Sequence, residues 1–205
     1  MRILNAYAGV GGNAKYWGDH EVVAIELNPK IAAVYQKLNP THEVIVTDAH
    51  EYIRKNYASF DKIWTSPKCQ THTKMVKATR HKNRKYPDME LYEEILFLKH
   101  FFKGKYVVEN VVPFYEPLIK PDNQVGRHCF WTNIDFNIED VKRPSNFINM
   151  ANLKGKKALQ DWLGIHYEER LYYEGNHCPA QVLRNCVHPD IGKKILDAAI
   201  AATVK

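Results

Sequence analysis

Short apolar runs alternate with helix-compatible stretches through the first two-thirds of the chain, the sequence form of a mostly parallel α/β sheet covered by helices. Strands are expected over 2–7, 22–25, 44–47, 62–65 and 106–108, and helices over 29–38 and 90–102, with a further helix-compatible stretch after Gly12. Each apolar run stops at a polar or special residue, and open α/β sheets bind ligands outside the carboxyl ends of their strands. Gly9, Glu26, Asp48, Cys69 and Glu109 are therefore expected to converge on one rim. Residues 129–134 read as another strand and 136–179 as a less regular stretch able to form a small subdomain. Residues 191–204 read as an amphipathic helix whose apolar face carries Ile191, Ile195, Ala198, Ala199 and Ala202.

The 205 residues suffice for one sizeable core with at most a small appendage. A net charge of +6 suits a polyanionic partner without requiring one. No apolar run approaches the roughly 20 residues that cross a bilayer, and Met1 leads straight into a strand-like stretch, so a cytoplasmic, membrane-free chain is expected. The cysteines Cys69, Cys129, Cys178 and Cys186 are scattered through a chain that does not need stapling, which predicts free thiols.

The turn Ala8-Gly9-Val10-Gly11-Gly12 lets backbone approach a ligand closely, because glycine lacks a side chain and tolerates positive φ. It departs from the dinucleotide fingerprint, since Ala14 stands where a third glycine is required. Glu26 can accept hydrogen bonds from both hydroxyls of a ribose and Asp48 one from an adenine amino group, which fits an adenosine ligand. Spacing alone does not separate S-adenosylmethionine from a nicotinamide cofactor. Pro67-Lys68-Cys69-Gln70 and Glu109-Asn110-Val111 narrow the choice. Carbon 5 of cytosine is inert until a nucleophile adds at carbon 6, and a thiolate adds and leaves well. The charge placed on the ring needs an acid near N3, a proton that a buried carboxyl group can supply. Cys69 and Glu109, each expected at a strand end, have the residue types for that pair.

Together these segments resemble the DNA (cytosine-5) methyltransferase family over most of the chain. Tyr7-Ala8-Gly9-Val10-Gly11-Gly12 is similar to its first motif, Glu26 to its second, Asp48 to its third, and Pro67-Lys68-Cys69-Gln70 to its nucleophile motif. Glu109-Asn110-Val111 matches its acid motif, and Arg184-Asn185-Cys186-Val187-His188-Pro189 resembles its closing motif. The resemblance implies a doubly wound, Rossmann-like S-adenosylmethionine-dependent methyltransferase fold, with a catalytic domain over 1–135, a reduced recognition-like segment over 136–180, and a closing motif and helix over 181–205. It further implies base flipping, a covalent Cys69 adduct, Glu109 as acid and Arg127 gripping the flipped base or its phosphate. Tyr7, Ala8, Gly9, Gly11, Gly12, Glu26, Leu27, Asp48, Ala49, Pro67, Leu91, Asn185 and Val187 are implied to hold S-adenosyl-L-methionine. The expected partner is double-stranded DNA, the expected state a monomer, and the compactness suits a mobile-element or viral enzyme, with restriction-modification as one setting.

Three departures from the family pattern stand out. Lys68 replaces a proline and places a cation where it is expected to favour the Cys69 thiolate, Arg184 replaces a glycine, and Cys129 stands where a second base-contacting arginine belongs. After the nucleophile, Gln70 and the basic residues Lys74, Lys77, Arg80, Lys82, Arg84 and Lys85 are expected to contact DNA, with affinity that falls steeply with salt. The short interval between Arg127 and Gln181 implies a short or relaxed target sequence, while Trp162, Tyr167, Tyr172 and Tyr173 read better as a small core than as DNA contacts. His177, Cys178, Cys186 and His188 have zinc-ligand types but not zinc-ligand spacing, so no metal is expected. A methyltransferase acting on RNA and a non-catalytic binding module remain alternatives.

Overall fold

An interior strand of the sheet is β1 (Arg2–Ala6), whose apolar residues are buried on both faces, as a parallel strand between helical layers requires. The computed structural model describes residues 1–75, 86–173 and 177–202. β2 (Glu21–Ile25), β3 (Glu43–Ile45), β4 (Lys62–Thr65) and β5 (Lys105–Val111) run parallel to β1. β6 (Asn123–Val125) and β7 (His128–Thr132) complete the order β3-β2-β1-β4-β5-β7-β6, in which β7 runs antiparallel to both its neighbours. The chain leaves β1 toward β2 and returns on its other side as β4, so the strand order reverses between β1 and β4. A crevice for a ligand opens at such a reversal.

Alternate residues feed the two faces. Leu4, Val23, Ile63 and Val108 pack beneath α2 (Ala49–Asn56) and α3 (Glu90–Phe101). Ile3, Val22, Trp64, Val107 and Phe130 pack against Ile191, Ile195 and Leu196 of α6 (Pro189–Ala201). The helix α1 (Pro29–Leu38) has the bounds its sequence predicts, because Asn28 caps it, Pro29 opens it and the Asn39-Pro40 pair ends it. The stretch after Gly12 forms successive turns instead of a helix, with Ala14 N donating to Gly11 O and Trp17 N to Ala14 O. In α6 the buried face is Ile191, Gly192, Ile195, Leu196 and Ala199, and Ala202 is exposed.

Residues after β7 are more regular than expected: α4 (Leu153–Leu163) begins at an Asn152 cap and ends at Gly164 in the left-handed region, φ 62°. Its apolar period is hidden because Lys156 and Gln160 share the buried face, where Lys156 Nζ donates to Glu168 O and Glu169 O, and Gln160 Nε2 to Tyr167 O. Leu159, Leu163, Ile165, Tyr167 and Leu171, with Val182 and Leu183 of α5 (Gln181–Arg184), form one cluster with Val10, Ile31 and Val34. Segments 147–173 and 177–183 are thus docked on α1 and the glycine-rich turn.

Lys62 is fully buried on the α6 side, its Nζ 5.1 and 5.7 Å from the ring centroids of Trp17 and Trp64 and without a hydrogen-bond partner. Burial lowers its pKa to about 7. Above the unfolded pKa of about 10.5 the amine is neutral in both states. As pH falls below that value the unfolded chain takes up a proton that the folded chain refuses, so stability declines down to about pH 7. The penalty at neutral pH is on the order of a few kcal/mol. Lys62→Met is expected to stabilise the protein by roughly 2 kcal/mol at pH 7 and by much less near pH 10.5, as read from urea unfolding.

Candidate active site

A cavity of about 780 Å³ lies at the reversal between β1 and β4, within the usual small-molecule range of roughly 300–1,000 Å³. One side is the turn after β1. Tyr7 and Gly9 both take left-handed backbone, φ 55° and 56°, a conformation that favours glycine and leaves Gly9 nearly bare, with Tyr173 Oη 3.9 Å from where its Cβ would stand. Tyr7 is held in its unusual conformation by Glu94 of α3. Glu94 Oε1 accepts from Tyr7 Oη at 2.7 Å and pairs with His50 Nδ1 at 3.1 Å, while Oε2 accepts from Thr65 Oγ1 at 2.6 Å. This buried carboxylate ties together the ends of β1 and β4 and the start of α2, and it raises the His50 pKa to about 9.

Glu26, just past β2, accepts from Gly9 N at 3.0 Å on one oxygen and from Asn28 N at 2.9 Å on the other. Burial raises its pKa, opposed by those backbone donors. Asp48 caps α2, its Oδ1 accepting from Glu51 N at 3.0 Å. Both line the cavity, together with Ala8, Gly12, Leu27, Ala49, Pro67, Asn185 and Val187. Gly11 is not in the wall: a Cβ there would meet Tyr35 Cε2 at 2.8 Å, so its role is packing against α1. Leu91 is not in the wall either, being 2% exposed in the core under α3. A Cβ on Gly12 would stand 2.7 Å from Cys186 Cβ and Val187 O, which seats the closing segment against the turn.

The opposite side is the loop after β4. Asn110 Nδ2 donates to Pro67 O at 3.0 Å, and Cys69 O accepts from His72 N and Thr73 N, so the backbone around Cys69 is pinned from both directions. A bridge between Thr73 and Pro113 and a 2.6 Å bond between His72 Nδ1 and Tyr115 Oη extend the attachment to the segment after β5. Burial and then the charge of Glu109 push the Cys69 thiol up to about 11, with Arg127 opposing them. Lys68 is exposed and takes no part in that balance; the cation acting on the sulfur is Arg127, which reverses the expectation that Lys68 favours the thiolate. Gln70 lines the cavity, Lys74 is exposed outside it, and Lys77, Arg80, Lys82, Arg84 and Lys85 lie outside the described residues.

Glu109 lies inside β5, not at its end, because β5 continues to Val111 against β7. Glu109 is 5% exposed, and its Oε1 lies 2.6 Å from His128 Nδ1. Register explains the meeting: Glu109 pairs with Phe130, and His128, two residues earlier on β7, shares that face. Arg127 sits in the two-residue hairpin between β6 and β7, opened by Gly126 at φ 56°. Its guanidinium packs 5.3 Å from the Phe147 ring centroid and donates to Arg184 O at 2.5 Å. Cys129 is 2% exposed in the α3-side core and does not line the cavity, so the expected position of a second arginine does not face the site.

His128, Tyr172 and Tyr173 also line the cavity, and the sequence reading assigned them no site role. Adjacency to Arg127 was the one available signal for His128; the tyrosines arrive through the docking of 165–173, which no local pattern announces. Among the described residues no cluster of His, Cys, Asp and Glu is arranged to hold a metal ion, and no helix is long and apolar enough to cross a membrane.

No family model and no curated protein sequence matches the chain. Solved structures do. The Entamoeba histolytica methyltransferase EhMeth is 11% identical, with 99% of this chain and 98% of that chain covered at a TM-score of 0.58. A Spodoptera frugiperda DNMT2 mutant is 13% identical, with 98% and 99% covered at a TM-score of 0.57. With its single reversed strand and a cavity at the β1/β4 switch, the chain has the α/β, Rossmann-like fold of S-adenosylmethionine-dependent methyltransferases.

Proposed function

We propose that the chain is an S-adenosylmethionine-dependent methyltransferase that acts on carbon 5 of cytosine in double-stranded DNA. The observation that carries this reading is the meeting of Cys69, Glu109 and Arg127 in one cavity with Gly9, Glu26 and Asp48. The residues fit the cofactor: Gly9 exposes bare backbone to the cavity, which suits close approach of a methionine moiety, and the carboxylates of Glu26 and Asp48 line the same cavity and can accept from ribose hydroxyls and an adenine amino group. When bound there, S-adenosylmethionine supplies an electrophilic methyl group.

The protein groups handle a proton and a nucleophile. For the reaction the thiol must lose a proton and Glu109 must supply one. Neutralising Glu109 removes the charge that disfavours the thiolate, and Arg127 then stabilises the sulfur anion. Cys69 Sγ bonds to carbon 6 as Glu109 gives its proton to N3, which makes carbon 5 nucleophilic toward the methyl group. Loss of the carbon-5 proton to solvent and cleavage of the Sγ–C6 bond, which returns Cys69 as thiolate, with return of the N3 proton to Glu109, complete the cycle. Lys74 is exposed, and it and the basic residues that follow it in the sequence are of the type that contacts phosphates.

Incubation with labelled S-adenosylmethionine and duplex DNA containing 5-fluorocytosine tests the reading, because fluorine cannot leave as a proton does. A protein–DNA adduct mapped to Cys69 is the expected result. Adducts on RNA alone would transfer the activity to RNA, and none on either would leave a binding module.

A further inference from the structure

The Glu109 carboxylate, the acid of the reaction proposed above, meets an imidazole. His128 Nδ1 lies 2.6 Å from Glu109 Oε1, both residues are nearly fully buried, and both line the cavity. Phe130 backs the ring, with centroids 6.3 Å apart and planes inclined by 37°, so the imidazole is held in orientation. Resting on the cytosine reading above, we propose that His128 is the positioning residue of Glu109. Its Nδ1–H occupies Oε1, so the proton destined for N3 resides on Oε2.

The step balances without a further reactant. Oε2 releases its proton to N3 as Cys69 Sγ bonds to carbon 6, and the resulting carboxylate keeps the Nδ1–H bond, which strengthens as charge develops on Oε1. On elimination the Sγ–C6 bond breaks and the N3 proton returns to Oε2. The imidazole gains and loses nothing. It fixes which oxygen acts and lowers the cost of a buried anion.

The test compares His128→Asn, which keeps an N–H donor near the place of Nδ1, with His128→Leu, which has none. Turnover of the H128L protein on duplex DNA is expected to fall on the order of a hundredfold, with the KM for S-adenosylmethionine within about twofold of wild type. H128N is expected to retain turnover within about tenfold. Should H128L fail to bind S-adenosylmethionine by calorimetry, His128→Phe, which fills the ring's volume without a donor, replaces it in the comparison. Wild-type turnover in the donor-free variant, or an equal loss in H128N, overturns the inference while a wild-type adduct on 5-fluorocytosine DNA still stands. Absence of that wild-type adduct overturns the cytosine reading and this inference with it.

Discussion

Cys69→Ser is expected to lower methyl transfer to DNA by on the order of 10⁴-fold or more, because a serine hydroxyl neither ionises near neutral pH nor adds to carbon 6 as a thiolate does. The substitution is nearly isosteric, and the loop is held by backbone groups: Cys69 O accepts from His72 N and Thr73 N, and Pro67 O accepts from Asn110 Nδ2. The loop should therefore keep its shape. Calorimetric affinity for S-adenosylmethionine is expected to stay within about twofold, since Gly9, Glu26 and Asp48 stand on the other side of the cavity. Transfer of labelled methyl to DNA at a wild-type rate would remove Cys69 from the reaction. Joint loss of transfer and cofactor affinity would instead show that the loop had collapsed.

The largest structural effect is expected from Gly192→Ala. A Cβ at this position of α6 would stand 2.1 Å from Asn13 O and 2.8 Å from Asn13 Cα, and backbone cannot yield as a flexible side chain can. Trp17 Nε1 also donates to Gly192 O at 3.3 Å, so the helix and the turn after β1 are joined on this contact. Separating them costs about 3 kcal/mol or more, visible as a lower urea midpoint. Affinity for S-adenosylmethionine should fall in the protein that remains folded, because the same turn carries Gly12 against Cys186 and Val187. An unchanged midpoint would mean that α6 can slide away from Asn13 without loss.

Several features of the site were legible because they depend on local chemistry and on a topological rule. Glycines in a turn after a strand, and Glu26, Asp48 and Cys69 placed after apolar runs, stand on one rim because parallel strands all point their carboxyl ends the same way. The bounds of α1 followed from its capping residues. Leu91 and Gly11 show the limit of motif reasoning: each sits beside site elements in sequence, yet packing turns Leu91 into the core and Gly11 against Tyr35.

By itself, then, the sequence determined the mostly parallel α/β sheet and which chemical groups lie at its carboxyl edge, since period, caps and strand ends are written residue by residue. Tertiary structure decided everything that rests on register or burial. The antiparallel pairing of β7 with β5 put Glu109 inside a strand and brought His128 to it instead of Cys129. Burial beside Glu109, with Arg127 opposing, set the Cys69 thiol high irrespective of Lys68. Long-range docking of 147–173 on α1 placed Tyr172 and Tyr173 over the glycine-rich turn, and buried polar atoms of α4 concealed that helix from its own periodicity. Such contacts join residues far apart in the chain, so their energies exist only once the sheet has formed.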